Sequence, residues 1–378
     1  MKGIYYIALK LLINDKGKFF TLIVGITFAV FLMMLMTSTF TGVIRKTASD
    51  IINLNSKIWV MDASVNSAQD SIPVPNYLLD AVKSINGVSY AVPVFIGNSL
   101  VKLPSGRYQH AKVIGIDDTS LFGRPFIIKG SLSAIYNDDA FIVIKDTDYH
   151  KLDDPFIGSV FEINDHRGVI VAIGKTTSST LFGMPTLYTT YHRAIQYLPM
   201  TRFTNTYILV EPKSDLDIPN IKSQVANLGY IALTYNEFIK KNQNYYAFKT
   251  GMGTNILIMT LISFIVGLSI VGQTFYTFVV ENVEKFGALK AIGTQKKQLI
   301  NILLFQSFVV GFLGYGFGVL LSSSVIALAK LRMPNYVPIV TIIAMGFSFV
   351  MVLIIIAFSS YIGIRRVIKI EPFEIFRG

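Results

Sequence analysis

The pattern of apolar and polar positions divides the chain into unlike parts. Four stretches contain no Asp, Glu, Lys or Arg: Phe19 to Ile44, Thr250 to Val280, Gln298 to Ala329 and Met333 to Ile364. Each exceeds the roughly 20 residues that a helix needs to cross a bilayer. The pattern predicts four transmembrane helices, at 19–44, 250–280, 300–329 and 339–364. The first stretch is too long for a signal-peptide core, and Thr37-Ser38-Thr39-Phe40-Thr41-Gly42 offers no convincing A-x-A site, so it reads as an uncleaved span. Ahead of it, Ile4, Ile7, Ala8, Leu11 and Leu12 share one helical face, with Lys10, Asp15, Lys16 and Lys18 directed at headgroups or cytosol. Residues 1–18 therefore read as an amphipathic helix at the cytoplasmic surface, although Tyr5, Tyr6 and Leu9 blur its polar face.

Between the first two spans, residues 45–249 alternate like a folded domain. Lys57 to Met61 is a strand-like run, Pro75 to Gly87 a helix with Tyr77, Leu78, Ala81, Val82 and Ile85 on one side, and Val88 to Ile96 a second strand. Thr206 to Val210, Pro219 to Gly229 and Tyr230 to Thr234 repeat the plan, with Ile221, Val225 and Leu228 as the stripe. Both helices open at Pro-Asn. Two β-α-β units thus enclose a middle portion, about 97–203, whose short alternating runs and Gly and Asp-Asp breaks predict a β-rich insertion. The fold class is an α+β membrane protein: four transmembrane helices plus a large extracytoplasmic α+β domain.

Composition agrees: 52% of residues are apolar and 15% charged, against about a quarter charged in soluble domains. The net charge of +11 would raise nucleic acid as a partner, but its distribution removes that reading. Residues 45–249 carry 20 Lys/Arg against 18 Asp/Glu, close to balance. Residues 1–18, 281–299 and 365–378 hold twelve cationic side chains between them, and the turn at 330–338 adds Lys330 and Arg332. Short basic loops stay in the cytoplasm while long domains translocate regardless of charge. Both termini and the 281–299 loop are expected in the cytoplasm, with 45–249 and the 330–338 turn outside. The absence of cysteine excludes disulfides and thiol chemistry, and a domain of this size folds without them.

Candidate chemistry is sparse. The histidines (His110, His150, His166, His192) are dispersed and show no metal-ligand spacing. Asp117-Asp118, Asp138-Asp139 and Asp153-Asp154 lie beside Gly, Asn or Pro and read as turn residues. Gly174-Lys175-Thr176 ends like a phosphate-binding loop, but Gly168 stands six positions before Gly174 and the residues between are strand-formers. No G-x-S-x-G elbow is present. Charge-free spans argue against an ion pathway through one chain. Gly311, Gly314 and Gly318 in the third span permit close helix approach, within the chain or between chains.

The 281–299 loop carries the sharpest signal. Glu281, Glu284, Lys285, Phe286, Gly287, Leu289, Lys290, Ala291 and Ile292 are read as a continuation of the second helix, stopped by Gly293, which presents a small amphipathic element to a cytoplasmic partner. Glu284 to Gly293 (EKFGALKAIG) resembles the E-x-x-x-L-[KR]-A-[IL]-G segment of FtsX-like permeases, the transmembrane subunits of type VII ABC transporters. Glu371-Pro372-Phe373-Glu374-Ile375-Phe376-Arg377 resembles their closing D-P-x-E-A-L-R, with Glu for Asp and Phe for Leu. Within that family the layout is similar to the macrolide-exporter (MacB), lipoprotein-releasing (LolC/LolE) and DevC permeases, the two β-α-β units matching a porter subdomain.

The resemblance implies a non-catalytic permease subunit. Its coupling segment would bind a separate cytoplasmic ABC ATPase carrying ATP and Mg, because only 18 residues precede the first span. It further implies a second permease copy, a periplasmic adaptor and an outer-membrane channel as partners, the bacterial inner membrane as location, and no cofactor on this chain. The alternatives are an FtsX-type mechanotransmitter that regulates a cell-wall hydrolase, and a lipoprotein-releasing permease.

Overall fold

A computed structural model describes residues 2–180, 183–198, 204–333 and 336–368. The chain forms two compact units, one of residues 1–42 with 254–378 and one of residues 43–253. In chain order the helices are α1 (Lys2–Asn14), α2 (Lys16–Thr47), α3 (Ser49–Leu54), α4 (Tyr77–Lys83), α5 (Tyr191–Tyr197), α6 (Ile218–Asn227), α7 (Tyr235–Asn244), α8 (Gly251–Glu281), α9 (Val283–Ala291), α10 (Lys296–Arg332) and α11 (Ile342–Ile368).

In the first unit α2, α8, α10 and α11 are long and apolar enough to cross a membrane. Helical structure outruns the charge-free stretches: α2 starts at Lys16, and α10 runs through Lys330 and Arg332, where cations at a helix C-terminus are favoured by its dipole. The turn expected at 330–338 is therefore displaced along the chain, since α10 ends at Arg332 and α11 begins at Ile342. The bundle core gathers Met33 and Met34, Phe275 and Phe278, Leu303, and Ile355 from the four spans.

The third-span glycines set how close these helices come. A Cβ on Gly314 would lie 2.6 Å from Ile26 Cβ, and one on Gly318 would lie 2.5 Å from Val30 Cβ, both on α2. A Cβ on Gly311 would lie 2.0 Å from Ile356 Cδ1 on α11. All three approaches are to neighbours within the chain.

The strands of the second unit are β1 (Ile58–Met61), β2 (Val74–Pro75), β3 (Val88–Lys102), β4 (Tyr108–Ile116), β5 (Phe126–Gly130), β6 (Ala140–Ile144), β7 (Val160–Ile163), β8 (His166–Lys175), β9 (Thr186–Thr190), β10 (Thr204–Asn205), β11 (Tyr207–Pro212) and β12 (Ile231–Thr234). The main sheet runs β12-β1-β11-β3-β4-β9-β6-β8-β5, with β7 joining β3 and β8. The two β-α-β units interleave: β1 pairs antiparallel with both β11 and β12, and β11 with β3, so each unit's own strands are parallel and one strand apart.

Alternation assigns each face. Ile58, Val60, Ile208 and Val210 meet Leu78 and Val82 of α4 and Ile221 and Val225 of α6. Trp59, Met61, Tyr207 and Leu209 face the other way, onto Ile51 and Leu54 of α3 and Phe238 of α7. Covered on both faces, these strands read as near-continuous apolar runs.

The β-rich insertion is part of this sheet. β3 runs unbroken from Val88 to Lys102, through the expected boundary at Gly97, and pairs with β11 in its first half and with β4 and β7 further on. Its alternation persists, Val94 and Ile96 facing one core and Phe95 and Val101 another, so no break in pattern marks the transition. Inside the unit Lys112 Nζ on β4 donates to Asp50 Oδ2 on α3 at 2.7 Å, both buried.

Candidate functional site

The predicted coupling segment does not simply extend the second span. Regular helix ends at Glu281 and restarts at Val283, with Asn282 between them at φ −100°, ψ 12°. Asn282 is buried, its Nδ2 donating to the Phe278 carbonyl at 2.8 Å and its Oδ1 accepting from Lys285 Nζ at 2.7 Å. Asn competes locally for backbone groups and so suits a helix junction. Sequence reasoning missed it, although an Asn between two helical runs was the available signal.

On α9 the apolar residues divide. Phe286 is 1% exposed, in the core shared by the spans, and Val283 and Leu289 pack against that core. Gly287 is buried too. These residues tie α9 to the bundle, near α11, where Lys290 Nζ reaches the Ile368 carbonyl at 3.5 Å. Phe286 is thus an anchor and offers no surface to a partner, contrary to the simple picture of an exposed amphipathic element. Glu284, Lys285, Ala291 and Gly293 are exposed, and Ile292 is 84% exposed.

The helix stop has a defined construction. Thr294 N–H donates to the Leu289 carbonyl at 3.0 Å and Gly293 N–H to the Lys290 carbonyl at 3.1 Å, the pair of bonds that closes a helix through a left-handed residue. Gly293 supplies that residue at φ +100°. Directly afterwards Gln295 and Gln298 form a reciprocal cap for α10, Gln295 N–H donating to Gln298 Oε1 at 3.0 Å. Two helices therefore meet in a short turn, capped on both sides, with Ile292 at its tip and Lys296 and Lys297 beside it. Glu284 in the first turn and Lys290 in the last complement the α9 dipole.

The N-terminal helix is fastened to the same bundle. Ala8 and Leu12 are fully buried, and Gln306 Nε2 on α10 donates to the Ala8 carbonyl at 2.9 Å. The Tyr5 and Phe305 rings lie 4.9 Å apart. Ile7, expected on the buried stripe, is exposed, as are Tyr6, Leu9 and Ile13. Lys18 links the helix junctions, pairing with Asp15 at 2.7 Å and with Glu281. The Lys18 hydrogen bonds hold the Asp15 carboxyl below the ordinary carboxylate range. The closing segment Glu371 to Arg377 lies outside the described residues.

Among the described residues no cluster of His, Asp or Glu has the makings of a metal site. The site is an exposed apolar tip beside a helix anchored in the bundle core. Spans, interleaved domain and capped turn define a multi-pass membrane protein.

Comparison with known proteins gives the class a family. The MacB-like periplasmic core domain matches residues 19–228, and the FtsX-like permease C-terminal domain matches residues 257–372. The chain belongs to this FtsX/MacB-like family of ABC transporter permeases. A putative hemin transport system permease protein, HrtB, of Staphylococcus haemolyticus is 30% identical over 131 residues, 34% of this chain and 35% of that protein. An uncharacterised ABC transporter permease of Mycobacterium tuberculosis is 29% identical over 124 residues, 33% of this chain and 34% of its own. The chain thus spans about a third of the length of these curated relatives. Among solved structures, the periplasmic region of MacB from Actinobacillus actinomycetemcomitans aligns with TM-score 0.39 and 10% identity, covering 53% of this chain and 98% of that one. The extracellular domain of the ABC-type transporter YknZ from Gram-positive bacteria aligns with TM-score 0.37 and 11% identity, covering 47% and 99%.

Proposed function

We propose that this chain is the non-catalytic permease subunit of an ABC exporter, driven by a separate cytoplasmic ATPase that binds the α9–α10 turn. ATP and Mg belong to that partner. The carrying observation is the division of apolar residues on α9: Phe286 and Leu289 fasten the helix to the spans, while Ile292 stands in solvent at a capped tip. Fully burying such a side chain contributes roughly 1.5–3 kcal/mol to a contact. A rigid frame behind it transmits displacement instead of absorbing it. In this reading both termini are cytoplasmic, closure of the ATPases moves the spans as levers, and the 43–253 unit is reshaped on the other side of the membrane. The export reading also places a periplasmic adaptor and an outer-membrane channel on that unit. Similarity to a putative hemin transport permease favours transport over hydrolase regulation.

A second copy of the permease belongs to this reading, against α8. The most apolar window of α8 is 17% buried, against 39%, 33% and 33% in the other spans. Ser269 and Gln273 are exposed on it, and the Gln273 carboxamide has no hydrogen-bond partner among the described residues. A carboxamide both donates and accepts, so across a two-fold axis it satisfies its own copy.

The test is co-purification of an ABC ATPase with this chain from its native membranes. Ile292→Asp should abolish recovery of the ATPase while leaving permease yield unchanged, since Ile292 touches no core. Retention of the ATPase at the wild-type ratio would refute the assignment.

A further inference from the structure

The 43–253 unit contains a cleft that the coupling account does not use. It has a volume of about 910 Å³ and lies between the end of α3, the loop that follows β4, and the start of β5. Its size falls in the range of small-molecule sites, roughly 300–1,000 Å³. Tyr90, Phe122, Phe126 and Ile127 give it an apolar wall. Tyr90 and Phe122 meet edge to face at 5.8 Å, and Phe126 is 72% exposed. Aromatic surface left open to water in a concave setting is unfavourable by itself and favourable once covered.

The walls are held in place. Asp117 Oδ2 accepts from Ser120 N–H and Ser120 Oγ, both at 2.8 Å, and Ser120 Oγ accepts from Phe122 N–H at 3.2 Å. Gly123 follows at φ +78°, and a Cβ there would lie 2.5 Å from Leu54 Cδ2. Opposite, Asn53 exchanges two 2.8 Å hydrogen bonds with the Ser178 backbone. The aromatic wall is therefore preorganised.

Among the described residues that line the cleft, Arg124 carries the only charge. Its guanidinium makes no hydrogen bond or ion pair with the described residues. An unpaired guanidinium beside an apolar wall, with no acid in the lining, selects for one kind of molecule. We propose that the cleft binds an amphipathic anion, its apolar body on Tyr90, Phe122 and Phe126 and its carboxylate, sulfonate or phosphate on Arg124. Arg offers a planar fork to such groups, and the charge-assisted bonds gain strength beside an apolar surface. The chemistry is shared by a free amphiphile and by an anionic lipid, and the experiment separates the two.

The chain lacks cysteine, so a single introduced thiol reports without background. Thr177 is exposed and lines the cleft, and Leu216 is 89% exposed and is not among its lining residues. Full-length Thr177→Cys and Leu216→Cys proteins, in phosphatidylcholine nanodiscs, would be labelled with a maleimide dye in the presence of dodecanoate or of dodecanol. Emission of the single, buried Trp59 checks the fold of each variant.

The expected result is that dodecanoate slows labelling at 177 several-fold and leaves 216 unchanged, that dodecanol has little effect, and that adding Arg124→Gln weakens the dodecanoate effect about tenfold. Protection at 177 in phosphatidylglycerol nanodiscs without added dodecanoate assigns the site to a lipid, and protection only by dodecanoate assigns it to a free amphiphile. Equal slowing at both positions, no slowing at 177, or protection that survives Arg124→Gln overturns the proposal. ATPase co-purification is untouched by these outcomes, so the two readings fail separately.

Discussion

The two units of the chain keep their polar groups in opposite ways. In the membrane unit the spans carry no charged residue across their apolar stretches, and packing is set by backbone approach, with Gly314 and Gly318 against α2. In the 43–253 unit charges are plentiful, and one pair, Asp50 with Lys112, is buried at 2.7 Å between α3 and β4. Lipid offers no hydrogen bonds to an exposed polar group, so a span satisfies its backbone within the helix and gains contact by small residues. A domain in water has a solvent-filled alternative for each charge, and a buried pair survives only because both partners stay together. The difference teaches where each unit is brittle: the bundle at volume, the domain at charge.

Removing one partner of the buried pair should have the largest effect. Asp50→Ala leaves Lys112 inside the domain without its counter-ion and should destabilise the unit by about 3–5 kcal/mol, read from thermal unfolding of Trp59 fluorescence. The double replacement Asp50→Leu with Lys112→Met should recover most of that loss. A double variant as unstable as the single one would show that the pair is valued for more than its charge. Next comes volume. Gly318→Leu pushes a side chain into Val30 and should cost about 1–3 kcal/mol, seen as loss of monodisperse protein after mild heating in detergent. If Gly318→Leu is tolerated while Asp50→Ala is not, close helix approach matters less to the bundle than the comparison claims.

Smaller effects sharpen the domain side. Thr234 caps α7, its hydroxyl accepting from Glu237 N–H at 3.4 Å while Glu237 accepts from Thr234 N–H at 2.8 Å. Thr234→Ala should cost about 1 kcal/mol in the same unfolding assay. The Lys222 hydrogen bond, and then the Thr234 backbone bond, hold the Glu237 carboxyl below its ordinary range. A depressed acid contributes stability above its unfolded-state pKa and loses it as pH falls through the folded value. Glu237→Gln should therefore lower stability slightly at neutral pH, with the difference from wild type vanishing as pH falls through the folded pKa. The pair is partly exposed, which keeps that effect small.

Much of this was legible in the residues. Runs without charge mark the spans because no folded context changes what lipid demands, and the stripes at Leu78, Val82, Ile221 and Val225 face the sheet as their spacing predicts. Gly293 was readable as a helix stop for the same local reason. Other features depend on contacts far apart in the chain. Asp50 and Lys112 look like ordinary solvated charges until α3 meets β4. Phe286 and Ile292 are both apolar and near in sequence, yet Phe286 packs into the bundle while Ile292, just past the end of α9, stays in water. The cleft draws on α3, the loop after β4 and β5, so no local pattern announces it.

The central claim is that Ile292 touches the ATPase. In the cysteine-free chain, Ile292→Cys carrying a benzophenone label should, on illumination in native membranes, give one adduct whose partner is an ABC ATPase subunit by mass spectrometry. The same label at Ile343→Cys, which is 81% exposed at the start of α11, should give none. None from position 292 in membranes where the ATPase is present would contradict the coupling role, and an ATPase adduct from position 343 would contradict the topology.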